Sequence, residues 1–273
     1  VPAAGALGVK IVSFFPENQA LQLPVIHAVV VLVDHATGTP LAIMDGGYIT
    51  ALRTGAVSGA ATDLLARPDA KTLVVIGAGV QGVTQAAAVC AVRPIERIIA
   101  VDPRQEALER YVGALRREWP EIDSKVETTT DANTAVAQAD IICTATTSRT
   151  PVFDDLRLRP GVHINAVGAF TPEMQEIPVE TVVRATVVVD HVETALAEAG
   201  DLIKPLNAGV VDRRHLEREL GQVAAGTAPG RRSREEITFF KSVGNAVQDV
   251  VVARRAADRA NGQGVGTKLD LTS

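Results

Sequence analysis

The sequence predicts an α/β fold whose main domain is a doubly wound parallel sheet. Three observations lead there. From Lys71 onward, short strands that are apolar throughout alternate with helical segments, the pattern of a parallel sheet covered on both faces. A glycine-rich turn, Gly77-Ala78-Gly79-Val80-Gln81-Gly82, stands between the first of these strands and the helix after it. Ala and Val are abundant while aromatic residues make up only 3%, a balance that suits small residues packed between helix and sheet.

The elements before Lys71 have a different character. Residues 8–15 and 27–34 are rich in Val, Ile and Phe, and the second run ends in the turn signal Asp34-His35-Ala36-Thr37-Gly38-Thr39 before the apolar stretch Pro40 to Met44. These predict a hairpin in an antiparallel or mixed sheet. Asp45-Gly46-Gly47 breaks the strand, and small and apolar residues then recur at helical spacing from Ile49 to Leu65, ending at Arg67-Pro68. The alternating series follows, with strands at Leu73–Ile76, Arg97–Val101, Asp140–Cys143, Gly161–Val167 and Ala185–Val189. Helices are expected at Val80–Ala91, Arg104–Glu118 and Thr134–Gln138. Pro172 and Pro178 mark a loop, Gly226–Ser233 is a second loop, and Asn245–Ala260 is a last helix before a tail of frayed composition from Asn261. The expected organisation is residues 1–60 as a first domain, 61–244 as the doubly wound domain and 245–273 as a helix returning to the first. Val1 is not a Met and a strand follows almost at once, so the chain is expected to begin inside a domain.

The glycine turn is the strongest chemical signal. Gly77 permits the tight turn, Gly79 lets backbone approach a pyrophosphate, and Gly82 lets the helix pack on the strand, with the N–H groups and dipole of the helix start facing the phosphate. Asp102 ends the next strand about 20 residues beyond Gly82, where a carboxylate accepts from ribose hydroxyls and repels a 2′-phosphate. The motif therefore predicts a Rossmann dinucleotide site and favours NAD, with NADP open because Arg104 can meet a 2′-phosphate. Thr144-Ala145-Thr146-Thr147-Ser148 and Asn165-Ala166-Val167-Gly168 follow later strands, so they reach the same carboxyl edge. Each is equally readable as a polar connection.

Other function classes are disfavoured. The formal charge is −5 with no basic run carrying aromatics, which argues against nucleic acid. The apolar runs fall short of the roughly 20 residues of a membrane span, and no export signal is visible, so the expected setting is cytoplasmic. Cys90 and Cys143, without CxxC spacing, read as buried, reduced fillers. His163 lies in an apolar strand and reads as a core residue, while His27, His35, His191 and His215 show neither metal nor triad spacing. Lys10, inside a strand, and Arg53, on a small-residue helix, are by composition either solvated charges or ligand-binding ones.

Taken in order, Gly8-Val9-Lys10, Leu52-Arg53-Thr54-Gly55-Ala56, Gly77–Gly82, Asn165–Gly168, Glu198-Ala199-Gly200-Asp201-Leu202 and Phe240-Lys241-Ser242-Val243-Gly244 resemble the ornithine cyclodeaminase/μ-crystallin family over nearly the whole chain. The resemblance implies a second α/β domain for substrate binding and homodimerisation, built from the N-terminal segment and the C-terminal helix. It also implies that the family's first strands, including an arginine that helps hold the substrate carboxylate, are missing here. Lys10 and Arg53 match the family's substrate-carboxylate residues and its catalytic pair, Val243 a substrate position, and Arg53, Thr54 and Ser242 cofactor positions. Together with Gly77, Gly79, Val80, Gln81, Gly82, Asp102, Arg104, Thr144, Thr146, Asn165, Ala166, Val167 and Gly168 they form the expected cofactor-binding set; no metal site is expected. Phe170 stands where cyclodeaminases carry an Asp acting on amine or water, and a phenyl ring can do neither. Ala169–Glu176 instead resembles the bacterial reductases of Δ1-pyrroline-2-carboxylate. Glu173 and Glu176 are acid candidates there, with loop solvation the weightier reading. The expectation is an NAD(P)H-dependent reductase of a small cyclic imino acid, with an ornithine- or alanine-converting enzyme and a non-catalytic dinucleotide binder as rivals.

Overall fold

Alternating apolar residues along Leu7–Phe14 (β1), Ile26–Val33 (β2) and Pro40–Asp45 (β3) build an antiparallel sheet of order β1-β2-β3. The computed structural model describes residues 1, 4–23, 26–123 and 125–269. It divides the chain into two units, Val1–Arg53 with Asn245–Ser273, and Thr54–Gly244.

In the first unit, Asp34 Oδ1 accepts the N–H groups of Ala36 and Thr37 at 3.0 and 2.8 Å and closes the β2–β3 hairpin. Helix α1 (Gly46–Leu65) begins at Gly46 rather than Ile49, because Asp45 Oδ1 accepts from Gly47 and Tyr48 N–H at 2.8 and 3.2 Å and caps the first turn. The glycine pair that signals a strand break is thus the helix start itself. The C-terminal helix α10 (Ala246–Gln263) is capped by Asn245 at one end and by left-handed Gly264 at the other. It packs Val250 and Ala253 on Val30 and Leu32 of the sheet. It runs past Ala260 to Gln263, so the expected frayed tail starts later; residues 270–273 of that tail lie outside the described residues.

The second unit follows the chain through β4 (Thr72–Ile76), α2 (Val80–Val92), β5 (Arg97–Val101), α3 (Gln105–Glu118), α4 (Pro120–Asp123), β6 (Val126–Thr129), α5 (Ala132–Val136) and β7 (Ile141–Thr144). It continues through β8 (His163–Ala166), α6 (Val179–Arg184), β9 (Thr186–Val189), α7 (Val192–Glu198), α8 (Gly200–Asn207), α9 (Leu220–Ala224) and β10 (Thr238–Lys241). Among the described residues these strands form a parallel sheet of order β6-β5-β4-β7-β8-β10-β9. The strand period divides their side chains between two cores: Leu73 and Val75 of β4 join Ile98, Ala100, Ile141 and Cys143 on one face, while Val74 and Ile76 join Ile99, Ile142, Ile164 and Phe239 on the other. The order reverses between β4 and β7, which makes the loops after Ile76 and Thr144 the topological switch point. The fold is the α/β, doubly wound Rossmann architecture that the alternating pattern predicts.

Three features depart from the sequence reading. The boundary between the units falls inside α1, at Arg53/Thr54, where the sequence placed it at residue 60. Strands β6 and β10 are additional, as are the helices α4, α6, α7, α8 and α9. β6 reads Val-Glu-Thr-Thr, a polar edge, and β10 ends on a lysine, so neither shows an unbroken apolar run.

Candidate active site

The turn after β4 has the geometry its glycines require. Gly77 adopts φ +106°, and a Cβ there would lie 2.5 Å from Ala145 O. At Gly82 an added Cβ would meet Gly77 O at 2.3 Å and Val75 Cγ1 at 3.2 Å, so only glycine lets α2 close on the strand. Gly79 differs: a Cβ there meets nothing within 4 Å, and as N-cap it has no side-chain cap on the helix. Uncapped N–H groups facing open space fit an anionic phosphate group. Val80 beside it is exposed and Gln81 half-buried, with Oε1 of Gln81 lacking a hydrogen-bond partner.

Asp102 is tied into this turn. Its Oδ2 accepts from Ala78 N–H at 3.1 Å, and its Oδ1 from Arg104 N–H at 3.0 Å and Arg104 Nε at 3.2 Å. Burial alone would raise the carboxyl, but the hydrogen bonds from the Arg104 side chain, Arg104 N–H and Ala78 N–H outweigh it and hold the group below the ordinary aspartate value. It is an ionised acceptor, as ribose hydroxyls demand.

At the carboxyl ends of β7 and β8, Thr144 is buried with an unpartnered Oγ1, and Thr146 Oγ1 accepts from Ser148 N–H at 3.2 Å. Asn165 is committed elsewhere: its Nδ2 donates to Thr62 Oγ1 at 2.9 Å, and its Oδ1 lies 3.1 Å from His163 Nε2. Its backbone is likewise paired, in β8 between β7 and β10, so Asn165 supports the neighbouring residues of the edge rather than meeting a cofactor itself, which corrects the expectation from sequence. Ala166, Val167 and Gly168 continue the buried run to the edge. Ser242 Oγ donates to Asp190 Oδ2 at 2.8 Å, and the same oxygen accepts from Val243 and Gly244 N–H at 3.2 and 2.8 Å. Asp190 therefore fixes the turn holding two expected site residues. Glu173 is exposed, in line with a solvated loop residue; Glu176 is not, being wholly buried, which corrects the expectation of loop solvation.

In the other unit, Lys10 Nζ of β1 lies 2.9 Å from Asp249 Oδ2 and 3.4 Å from Thr50 Oγ1. Arg53 Nε lies 3.3 Å from Asp249 Oδ1, and its Nη1 donates to Gln248 Oε1 at 3.0 Å. The two cations thus converge on one buried carboxylate. A strand lysine and a helix arginine that compositional rules leave ambiguous are held against the same anion, at a spacing that can grip a carboxylate. Thr54, the next residue of α1, is buried, and its carbonyl accepts from Gln85 Nε2 at 3.3 Å.

Asp249, Gln248 and Asp190 have no role in the sequence reading. A signal exists for Asp249, an acidic residue amid the apolar face of α10. Asp190 ends a strand as Asp102 does, but no spacing rule points to it. Cys143 is buried and Cys90 half-buried, both as free thiols; burial pushes them up to about 12 and about 11. Among the described residues there is no cluster that could hold a metal ion, and no helix is long and apolar enough to cross a membrane.

The sequence is 44% identical over 267 residues to a Delta(1)-pyrroline-2-carboxylate reductase of Bacillus cereus, covering 97% of this chain and 81% of that one. The Delta(1)-pyrroline-2-carboxylate reductase of Thermococcus litoralis, solved with NADH and L-proline, superposes with a TM-score of 0.92 at 42% identity, over 98% of this chain and 82% of that one. An archaeal alanine dehydrogenase dimer with bound NAD matches with a TM-score of 0.88 at 36% identity, over 98% and 81% of the two chains. With the pattern of the ornithine cyclodeaminase/mu-crystallin family matched across residues 2–264, the chain belongs to that family.

Proposed function

We propose that this chain is an NADH-dependent reductase of a small cyclic imino acid such as Δ1-pyrroline-2-carboxylate, forming the corresponding L-amino acid. The observation that supports it most is the convergence of Lys10 and Arg53 on one carboxylate, in a chain 42% identical to a reductase solved with NADH and L-proline. L-Proline is the product of reducing that imine.

The dinucleotide, when bound, supplies the hydride that C2 of the imine accepts. The turn at Gly77–Gly82 receives the pyrophosphate and Asp102 the ribose hydroxyls. Arg53 holds the substrate carboxylate in plane through a two-point contact, and Lys10 presents an ammonium that grips the same carboxylate or protonates the adjacent nitrogen. Orientation is the main task of these residues, since a protonated imine is already an acceptor. Phe170, 37% exposed, has no proton to give or take, which disfavours cyclodeamination.

The protein acts as a homodimer. β1 and β3 expose Leu7, Val9, Ile11 and Ile43, an apolar face that a second copy covers, and the similar archaeal alanine dehydrogenase is a dimer. A monomer by light scattering at micromolar concentration contradicts this. A cytoplasmic setting fits its two free thiols.

The deciding experiment follows NADH absorbance with Δ1-pyrroline-2-carboxylate plus NADH and with alanine plus NAD, and ammonia release with ornithine plus NAD, as separate substrates. The expected result is turnover of the imino acid well above the other two. No turnover of it, or faster oxidation of alanine, overturns the reading.

A further inference from the structure

Three ionisable side chains lie together in the core of the second unit, beneath the carboxyl edge of its sheet. Glu176, Asp201 and Lys241 are each fully buried, and Lys241 Nζ sits 3.0 Å from Asp201 Oδ2. Burying such charges is costly unless they are paired and hydrogen-bonded, so their surroundings should reveal what they hold.

Glu176 faces N–H groups. Its Oε1 accepts from Thr146 N–H at 2.6 Å, and its Oε2 from Gly168 N–H at 2.8 Å and Ala169 N–H at 3.1 Å. One carboxylate therefore ties the loop after β7 to the loop after β8. The two loops are also in contact: a Cβ on Gly168 would lie 2.2 Å from Thr146 O and 2.5 Å from Glu176 Oε1. Asp201, in the first turn of α8, holds Glu176 in turn, its Oδ1 accepting from Glu176 and Ile177 N–H at 2.7 and 3.0 Å. Lys241 ends β10, level with Ala166 of β8, which is itself level with Thr144 of β7. The network thus lies under three neighbouring strand ends.

Those strand ends are where the nicotinamide half of a dinucleotide belongs. With the pyrophosphate at the β4 turn and the adenosine ribose at Asp102 just after β5, the rest of the molecule extends across the switch point toward β7 and β8. A cofactor lying there displaces the water that would otherwise satisfy loop N–H groups. An acceptor from beneath removes that need and fixes the loops before the cofactor arrives.

We propose that Glu176, held by Asp201, itself paired with Lys241, is a positioning residue that preorganises the Thr146 and Gly168–Ala169 loops for the nicotinamide end of NADH. This rests on the dinucleotide reading above. Burial, foremost, and the Asp201 charge raise the Glu176 carboxyl, while Lys241 and the Thr146 contacts oppose them; the role itself follows from the hydrogen bonds.

The test is Glu176→Gln, which keeps the shape but replaces one acceptor oxygen by an NH2 group, so one of the two loops loses its acceptor whichever way the amide turns. The expected result is an NADH Kd, read from NADH fluorescence, raised about tenfold, the equivalent of one buried hydrogen bond. The KM for NADH rises with it, and the KM for Δ1-pyrroline-2-carboxylate stays within about twofold. A merely structural role would lower the folded fraction without moving the Kd of what remains folded. A second measurement needs no variant: in the unmutated protein without NADH, the amides of Thr146, Gly168 and Ala169 should exchange with solvent slowly. Glu176→Gln with an unchanged NADH Kd overturns the proposal, as do amides that exchange freely until NADH is added. Unmutated protein that binds no NADH overturns the dinucleotide reading, and the proposal with it.

Discussion

Asp249 places a carboxylate oxygen 2.9 Å from the ammonium of Lys10, joining residues 239 positions apart in sequence. Its second oxygen, 3.3 Å from Arg53 Nε, makes the pair a triad of two cations and one anion with a net positive charge. Helix α10 therefore supplies the group that keeps two like charges side by side, and one positive charge remains for a monoanionic substrate.

Arg53 is the member with the more specific geometry, since its planar fork matches a carboxylate at two points while lysine meets it at one. Arg53→Ala should lower kcat/KM for the imino acid by about 100-fold, the loss expected for a charge-assisted bidentate contact. NADH binding, measured by fluorescence titration, should weaken far less than kcat/KM falls, because the Gly77–Gly82 turn and Asp102 still hold the rest of the dinucleotide. Unchanged reductase kinetics would remove Arg53 as the carboxylate anchor.

Cofactor choice should follow Asp102. Its ionised carboxyl repels a 2′-phosphate, and Arg104, whose side chain is 61% exposed, is turned toward that carboxyl. NADH should be preferred over NADPH, and Asp102→Ala should narrow the ratio of their kcat/KM values by about tenfold or more. Equal use of NADPH by the unmutated protein would mean that Arg104 governs the pocket.

The glycine turn and Asp102 were legible because their spacing is local: one βαβ unit contains the whole signal. The strands of the doubly wound sheet were legible for the same reason, as runs such as Leu73–Ile76 are apolar on both faces. The supporting carboxylates were not. Asp190 lies 52 residues from Ser242, and Asp249 lies 239 from Lys10, separations that only the folded chain closes. Glu176 misled for a related reason. A glutamate in a proline-flanked loop is solvated by default, and nothing nearby in sequence reveals three N–H groups waiting for it from Thr146, Gly168 and Ala169.

His163 should set the acid stability of the second unit. Burial, with Arg231 nearby, pushes its imidazole from 6.5 down to about 3. The folded chain thus keeps it neutral, while the unfolded chain takes up a proton below about pH 6.5. Stability from this group is complete above that value and falls as pH drops toward 3, by at most about 1.4 kcal/mol per pH unit. The urea midpoint should accordingly fall between about pH 7 and about pH 5, where few carboxylates titrate. A midpoint that stays level over that window would show that His163 is protonated in the fold.

Phe170 separates reduction from cyclodeamination at one position. The ring follows Asn165–Gly168 at the carboxyl edge of the sheet, where the resemblance to the cyclodeaminases implies an aspartate. General-base catalysis supplies about 10²- to 10⁴-fold, so without it ammonia release from ornithine should sit near background. Reduction has no such need, because the imine can arrive protonated and requires only orientation by Arg53 and Lys10. With NAD present, incubation with ornithine should therefore yield no measurable ammonia, while the same preparation consumes NADH with Δ1-pyrroline-2-carboxylate. Phe170→Asp gives the converse arm: the added carboxylate should raise ammonia release above that of the unmutated chain and leave NADH binding in place. Proline and stoichiometric ammonia formed from ornithine by the unmutated protein would reverse the assignment, since they would require a base other than the residue at position 170.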